Sequence, residues 1–130
     1  HDKAIESYIK ALEINNGSSE AHNNLANLFS YLNNPEAEYH YKKTIELNPN
    51  EIYPRLNMSN YFIKNNKFND SLKYLQEMIE LGLESKEVYN SLGVSYKGLN
   101  DDDNASKMFL KSLEMDPNFT LAQKNLDSLK

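Results

Sequence analysis

The sequence predicts an all-α, right-handed α-solenoid of about eight antiparallel helices, and three observations carry that reading. An apolar-acidic-apolar signature recurs as Leu12-Glu13-Ile14, Ile45-Glu46-Leu47, Ile79-Glu80-Leu81 and Leu113-Glu114-Met115, at offsets of 33, 34 and 34 residues. The same offsets relate the small residues Ala4, Ala37, Ser71 and Ala105, the large residues Tyr8, Tyr41, Leu75 and Phe109, and the apolar residues Leu25, Met58, Leu92 and Leu126. Within each period the apolar spacing is i, i+3, i+4, i+7, the signature of an amphipathic helix. A fixed period of this length marks a supersecondary unit too small to bury its own apolar face, which must stack on its neighbours.

Each helix has its own apolar face and its own stop. The first is expected over 1–14, with Ile5, Ile9 and Leu12 on one face, and the second over 19–32, with Leu25, Leu28, Phe29 and Leu32, ended by Asn33-Asn34-Pro35. The third, 35–47, ends at Asn48-Pro49, and the fourth, 52–65, at Asn65-Asn66. The fifth, 68–81, carries Leu72, Leu75 and Ile79 and stops at Gly82; the sixth, 86–98, stops at Gly98. The seventh, 102–115, ends at Asp116-Pro117 and the eighth covers 119–129. Proline cannot continue a helix, and Gly or Asn tolerates the left-handed residue that closes one.

Tyr89-x-x-Leu92-Gly93-x-x-Tyr96, followed by Ala105, Phe109 and Pro117, resembles the tetratricopeptide repeat (TPR). Residues 19–51 fit with Leu25-Ala26, Phe29, Ala37, Tyr41 and Pro49, though their inter-helix turn is one residue short. Residues 52–85 fit less closely, with Met58-Ser59, Phe62, Ser71 and Leu75, and with Leu83 where proline is expected. Residues 1–18 resemble only the second helix of a repeat, and 120–130 only the first, so the expected organisation is one array: half repeat 1–18, repeats 19–51, 52–85 and 86–119, and a half repeat or capping helix at 120–130. Small residues such as Gly93, Ala26 and Ser59 leave room where helices cross closely, and a large neighbour fills the space beside them.

Composition narrows the function. There is no long apolar run, so no membrane span or membrane partner is expected. The chain begins in what reads as mid-repeat, so upstream sequence and any targeting signal are expected to precede it. The absence of Cys removes disulfides and thiolate chemistry and suits a reducing, cytoplasmic location. The net charge is -5, with 14 basic residues interleaved among 19 acidic ones, so no phosphate-binding stripe forms and no nucleic-acid partner is expected. Asp101-Asp102-Asp103 lacks the alternating ligands and turn glycine of a calcium loop and sits where a helix starts, so it reads as an N-terminal cap. The histidines are His1, His22 and His40. His22 falls where the repeat places a large inter-helix residue, His40 follows Tyr39 on a second helix, and neither register sets an imidazole beside a nucleophile. No catalytic site, metal or cofactor is expected.

The resemblance implies that the first helix of each repeat lines a concave groove, and those helices are rich in Asn. Asn24, Asn57 and Asn125 share one register, with Ser91 as the exception, and Asn27 and Asn60 sit one turn on. Such a row of carboxamides offers donors and acceptors to an extended peptide backbone without reading its side chains. With 19 Asn in 130 residues, composition alone supplies part of this pattern. The row is similar to that of the TPR region of O-linked N-acetylglucosamine transferase. TPR co-chaperones that grip acidic C-terminal tails instead carry Lys and Arg beside such amides. Here the matching places hold Asn23, Asn27, Asn57, Glu87 and Ser91, with no cation, and Glu87 would repel such a tail.

The function expected is therefore a non-enzymatic protein–protein interaction scaffold that binds an extended segment of a protein partner. The candidate groove residues are Asn23, Asn24, Asn27, Tyr53, Asn57, Asn60, Lys64, Asn90, Lys97 and Asn125. Two alternatives stand beside it: a substrate-docking region of a larger, glycosyltransferase-like enzyme, and a structural module that self-assembles through its end helices.

Overall fold

The computed structural model describes residues 2–15 and 17–130; His1, the expected start of the first helix, and Asn16 of the expected half repeat 1–18 lie outside the described residues. Eight helices occur among the described residues, with no strand: α1 (Asp2–Ile14), α2 (Ser19–Tyr31), α3 (Glu36–Leu47), α4 (Ile52–Lys64), α5 (Phe68–Glu80), α6 (Lys86–Gly98), α7 (Asp102–Met115) and α8 (Thr120–Asp127). The chain divides into two compact units, residues 1–58 and 59–130.

Short polar side chains start α2, α6 and α7. The Ser18, Ser85 and Asp101 side chains accept the backbone N–H of Ala21, Val88 and Asn104 at 3.3, 3.2 and 3.2 Å. Asp101 thus acts as the expected cap, and its hydrogen bonds from Asn104 hold its carboxyl below the ordinary value. One closing motif is used four times among the described residues. Asn33, Asn66, Gly82 and Asn100 adopt left-handed φ of 57, 60, 77 and 62°. The next N–H then reaches back to close the turn: Asn34 to the carbonyl of Phe29, Lys67 to Phe62, Leu83 to Met78 and Asp101 to Tyr96, at 2.7 to 2.9 Å. Gly98 departs from its expected role. It is the last residue of α6, the left-handed position falls to Asn100, and a Cβ on Gly98 would stand 2.5 Å from the Phe68 ring. This glycine is required by close approach, not by turn geometry.

In the first unit α2 packs against α1 and α3. Its core joins Ala21, Leu25, Ala26 and Phe29 of α2 to Ala37, Tyr41 and Thr44 of α3, all buried. α1 has no buried residue; Ile9 and Ile14 are 44% and 88% exposed.

In the second unit α6 packs between α5 and α7, and α8 packs on α7 and α6. Leu75 and Met78, Val88 and Leu92, Ala105 and Phe109, and Ala122 make a continuous core. The Phe62 and Tyr74 rings stack at 5.6 Å. The small residues at the crossings work as their register requires: Ser71 Oγ lies 2.7 Å from Ser95 Oγ in the buried contact of α5 with α6, and Gly93 lies directly against the Phe109 ring. The start of α6 is tied to the end of α7, since Lys86 Nζ donates to Asp116 Oδ2 at 2.6 Å and Ser112 Oγ donates to the carbonyl of Lys86 at 2.8 Å. That ammonium holds the Asp116 carboxyl below its ordinary value.

Candidate functional site

In the second unit, the candidate residues on α6 and its neighbours are cross-linked in a regular way. Asn125 Nδ2 donates to Asn90 Oδ1 at 2.9 Å, joining α8 to α6. Ser91 Oγ donates to Asn60 Oδ1 at 2.8 Å, joining α6 to the end of α4. Lys97 Nζ donates to Ser128 Oγ at 2.7 Å, and Ser128 Oγ in turn donates to the carbonyl of Asn125 at 2.6 Å. The links between helices span 31 to 35 residues, about the length of the period, and each joins residues close to, though not at, the same register. This is the local reason that polar residues persist there: an amide buried at a helix crossing must find a partner, and the repeat supplies one.

These bonds change what the amides can offer. Asn60 and Asn90 are acceptors here, while their own two-proton donors are not used in these links. Asn90 is 6% exposed, so it belongs partly to the core and not to an open surface. Asn60, Lys64 and Lys97 are exposed and Asn125 is half-buried.

The first unit arranges its candidates differently. Asn27, exposed on α2, accepts from the Tyr41 hydroxyl at 2.8 Å and ties α2 to α3. Asn23 and Tyr53 line a hollow of about 230 Å³ together with Glu20, Asn48 and Glu51, and Asn23 Oδ1 is buried there without a hydrogen-bond partner among the described residues. Asn24 lies on another wall, in a hollow of about 210 Å³ shared with Tyr8 and Ala11 of α1. Asn57 is half-buried on α4.

Sequence reasoning missed one polar cluster. His22 Nδ1 and His40 Nδ1 lie 2.9 Å apart, with ring centroids at 5.1 Å, and His22 is 1% exposed. Tyr39 stands edge-on to both rings and Phe29 lies 5.5 Å from His40. Two nitrogens at that separation share a single proton, so one ring donates and the other accepts. Burial, reinforced by His22 and opposed by Glu36, lowers the pKa of His40. The signal was available in the separation across the α2–α3 hairpin, which sets position 22 opposite position 40. Among the described residues no group of three or more His, Cys, Asp and Glu could hold a metal ion. Nor is any described helix long and apolar enough to cross a membrane.

Antiparallel helix pairs that bury small residues at their crossings and bridge successive helices with polar side chains define a protein of stacked helical repeats. Residues 86–119 match the family model of the tetratricopeptide repeat. The chain thus carries a tetratricopeptide repeat at those residues and has the fold of tetratricopeptide-repeat proteins. It is 28% identical over 129 residues to "Heat shock protein STI1" of Saccharomyces cerevisiae, covering 99% of this chain and 16% of that relative, so it spans only a small part of that protein's length. Among solved structures it is similar to MamA, with a TM-score of 0.85 and 21% identity over 98% of this chain and 75% of that one. It is also similar to YrrB, described as a TPR protein with an unusual peptide-binding site, with a TM-score of 0.77 and 21% identity over 96% of this chain and 65% of that one.

Proposed function

We propose that this protein is a scaffold that holds an extended peptide segment of a partner protein on the amide-bearing faces of its first helices, and that it performs no chemistry of its own. The observation that carries the reading is the set of cross-helix amide links in the second unit, Asn125 to Asn90 and Ser91 to Asn60. Carboxamides held by cross-helix hydrogen bonds are already fixed in orientation, so these side chains lose little further freedom when a peptide binds. In the first unit Asn23, Asn24, Asn57 and Tyr53 are the corresponding contacts. The description of YrrB as peptide-binding supports the same use of this fold. Lys64 and Lys97 add what side-chain selectivity there is.

The experiment is capture of partners by the wild-type chain, repeated with Asn24→Ala plus Asn57→Ala, the folded state of the variant being checked by thermal melt. Each lost contact costs about 0.5 to 1.5 kcal/mol, so binding weakens about tenfold or more when both are made. Undiminished capture by the folded variant moves the site away from these amides. Asn90 is unsuitable for that comparison, because its burial makes loss of stability inseparable from loss of binding.

A further inference from the structure

A hollow of about 460 Å³ opens between α5 and α7 above one face of α6. Its floor is Tyr89, Leu92 and Tyr96, and Ile79 and Met108 form its apolar walls. A second hollow of about 250 Å³ shares Tyr89 and Lys111 with the first and extends it toward Glu84 and Glu114. The combined trough is within the size that takes a long side chain. Its charge is lopsided: Glu80, Glu84 and Glu114 line it, against the single ammonium of Lys111.

The aromatic floor already carries a cation. Lys111 Nζ stands 5.4 Å from the centre of the Tyr89 ring, within the range of a cation–π contact. The Tyr89 hydroxyl donates to Glu84, which pushes the phenol pKa up to about 12 and keeps the ring neutral. Gln76 Nε2 donates to the Tyr96 hydroxyl at 3.1 Å and steadies the second ring. Two oriented phenols in the floor, apolar walls and a carboxylate rim suit one kind of group: an alkyl chain that ends in a cation. An acidic occupant would meet three carboxylates. A purely apolar one would bury part of that rim without compensation.

We propose that the trough between α5 and α7 is a binding site for a basic side chain of a partner protein, an arginine or lysine whose stem lies on Tyr89, Leu92 and Tyr96 and whose cation meets Glu80, Glu84 and Glu114. Lys111 occupies the cationic position until the partner arrives and is displaced along the α7 surface. This site is separate from the amide links, because Asn90, next to Tyr89 on α6, turns to Asn125 of α8 instead.

The test uses isotope-labelled protein and the peptide acetyl-Ala-Arg-Leu-Arg-Ala-amide, with the counterpart in which both arginines are citrulline as the neutral isostere. The ring resonances of Tyr89 and Tyr96 are followed through the titration. The arginine peptide should shift both rings saturably, and the citrulline peptide should bind at least tenfold more weakly. Lys111→Met keeps the stem and removes the competing charge, so it should tighten the arginine peptide several-fold, whereas Glu80→Gln should weaken it several-fold. Gln123→Ala, exposed on α8 and outside both the trough and the amide links, should leave the affinity unchanged. The backbone amide spectrum of each variant reports that it is folded. The proposal is overturned by unshifted tyrosine rings at peptide concentrations up to about 5 mM, the range of very weak binding. Equal binding of the citrulline peptide overturns it too, as does a folded Lys111→Met variant that binds more weakly.

Discussion

Replacing Gly93 by alanine sets packing against helix propensity with opposite signs. An added Cβ would stand 2.4, 2.5 and 2.8 Å from Cε1, Cδ1 and Cζ of Phe109. Ordinary contact requires a separation about 1 Å longer than the shortest of these. Phe109 is wholly buried, so its ring has no open side into which to retreat. Overpacking of a closed site costs about 1 to 3 kcal/mol, and the absence of free space places this case in the upper half of that range. Propensity favours alanine over glycine in a helix interior by about 1 kcal/mol. The net expectation is a destabilisation of about 1 to 2 kcal/mol, and leucine at the same position should cost more. Urea unfolding followed by circular dichroism reads this as a midpoint lowered by about 0.5 to 1 M. Phe109→Leu makes room for the new methyl, so the double variant should be more stable than the sum of the single effects allows, by about 1 kcal/mol. A Gly93→Ala protein as stable as its parent, with an additive double variant, would refute the claim that this crossing sets the glycine.

The cap at the start of α6 is separable in the same assay: Ser85→Ala removes the acceptor of the Val88 N–H and should cost about 1 kcal/mol, and an unchanged midpoint would show the cap to be idle. Stability should also depend on pH through His40. Its folded pKa is lowered, so the unfolded chain takes up the proton more readily; the contribution is complete above the ordinary value of 6.5 and is lost as pH falls below it. The urea midpoint should therefore be lower at about pH 5 than at about pH 7.5, and a variant with Phe at both 22 and 40 should lose this difference. Asp101 and Asp116 also have lowered values, so their contribution persists down to the ordinary 3.8 and is lost only as pH falls further. Finally, α1 has no buried residue and exposes Ile9 and Ile14, so the chain should self-associate through it. Sedimentation velocity at rising concentration should show dimers that Ile9→Lys with Ile14→Lys abolishes; a strict monomer at high micromolar concentration would contradict this.

The helices were legible because their signals are local. The i, i+3, i+4, i+7 spacing fixes each apolar face, and Asn33, Asn66 and Gly82 mark ends that the backbone reaches with a left-handed residue. Gly98 ends α6 as expected, but the left-handed role passes to Asn100, and the approach of Phe68 from 30 positions away leaves no local trace. The small residues Ala37, Ser71 and Ala105 were readable as crossing positions because repetition makes a long-range contact periodic.

The polar site was harder to read for the same reason in reverse. Periodicity located Asn60, Asn90 and Asn125, yet which amide bonds to which depends on how one first helix is offset from the next. Asn125 meets Asn90 across 35 residues while Ser91 meets Asn60 across 31. The two histidines were not paired because the period relates one repeat to the next, whereas their contact runs within a single helix hairpin, across 18 residues. The trough between α5 and α7 escaped notice because Tyr89, Leu92 and Tyr96 read as core positions. Two of them, Tyr89 and Leu92, are indeed buried, and they still form its floor.

The central claim, that a peptide is held by the amides of the first helices, is tested most directly by the side-chain NH₂ resonances of those asparagines. Extended peptides selected against the protein from a displayed library would be titrated into labelled protein and the carboxamide signals recorded. The account predicts saturable shifts at Asn24 and Asn57 in the first unit, and at Asn60 and Asn125 in the second. Saturable binding that leaves these signals in place and perturbs only the second helices α3, α5 and α7 would contradict it.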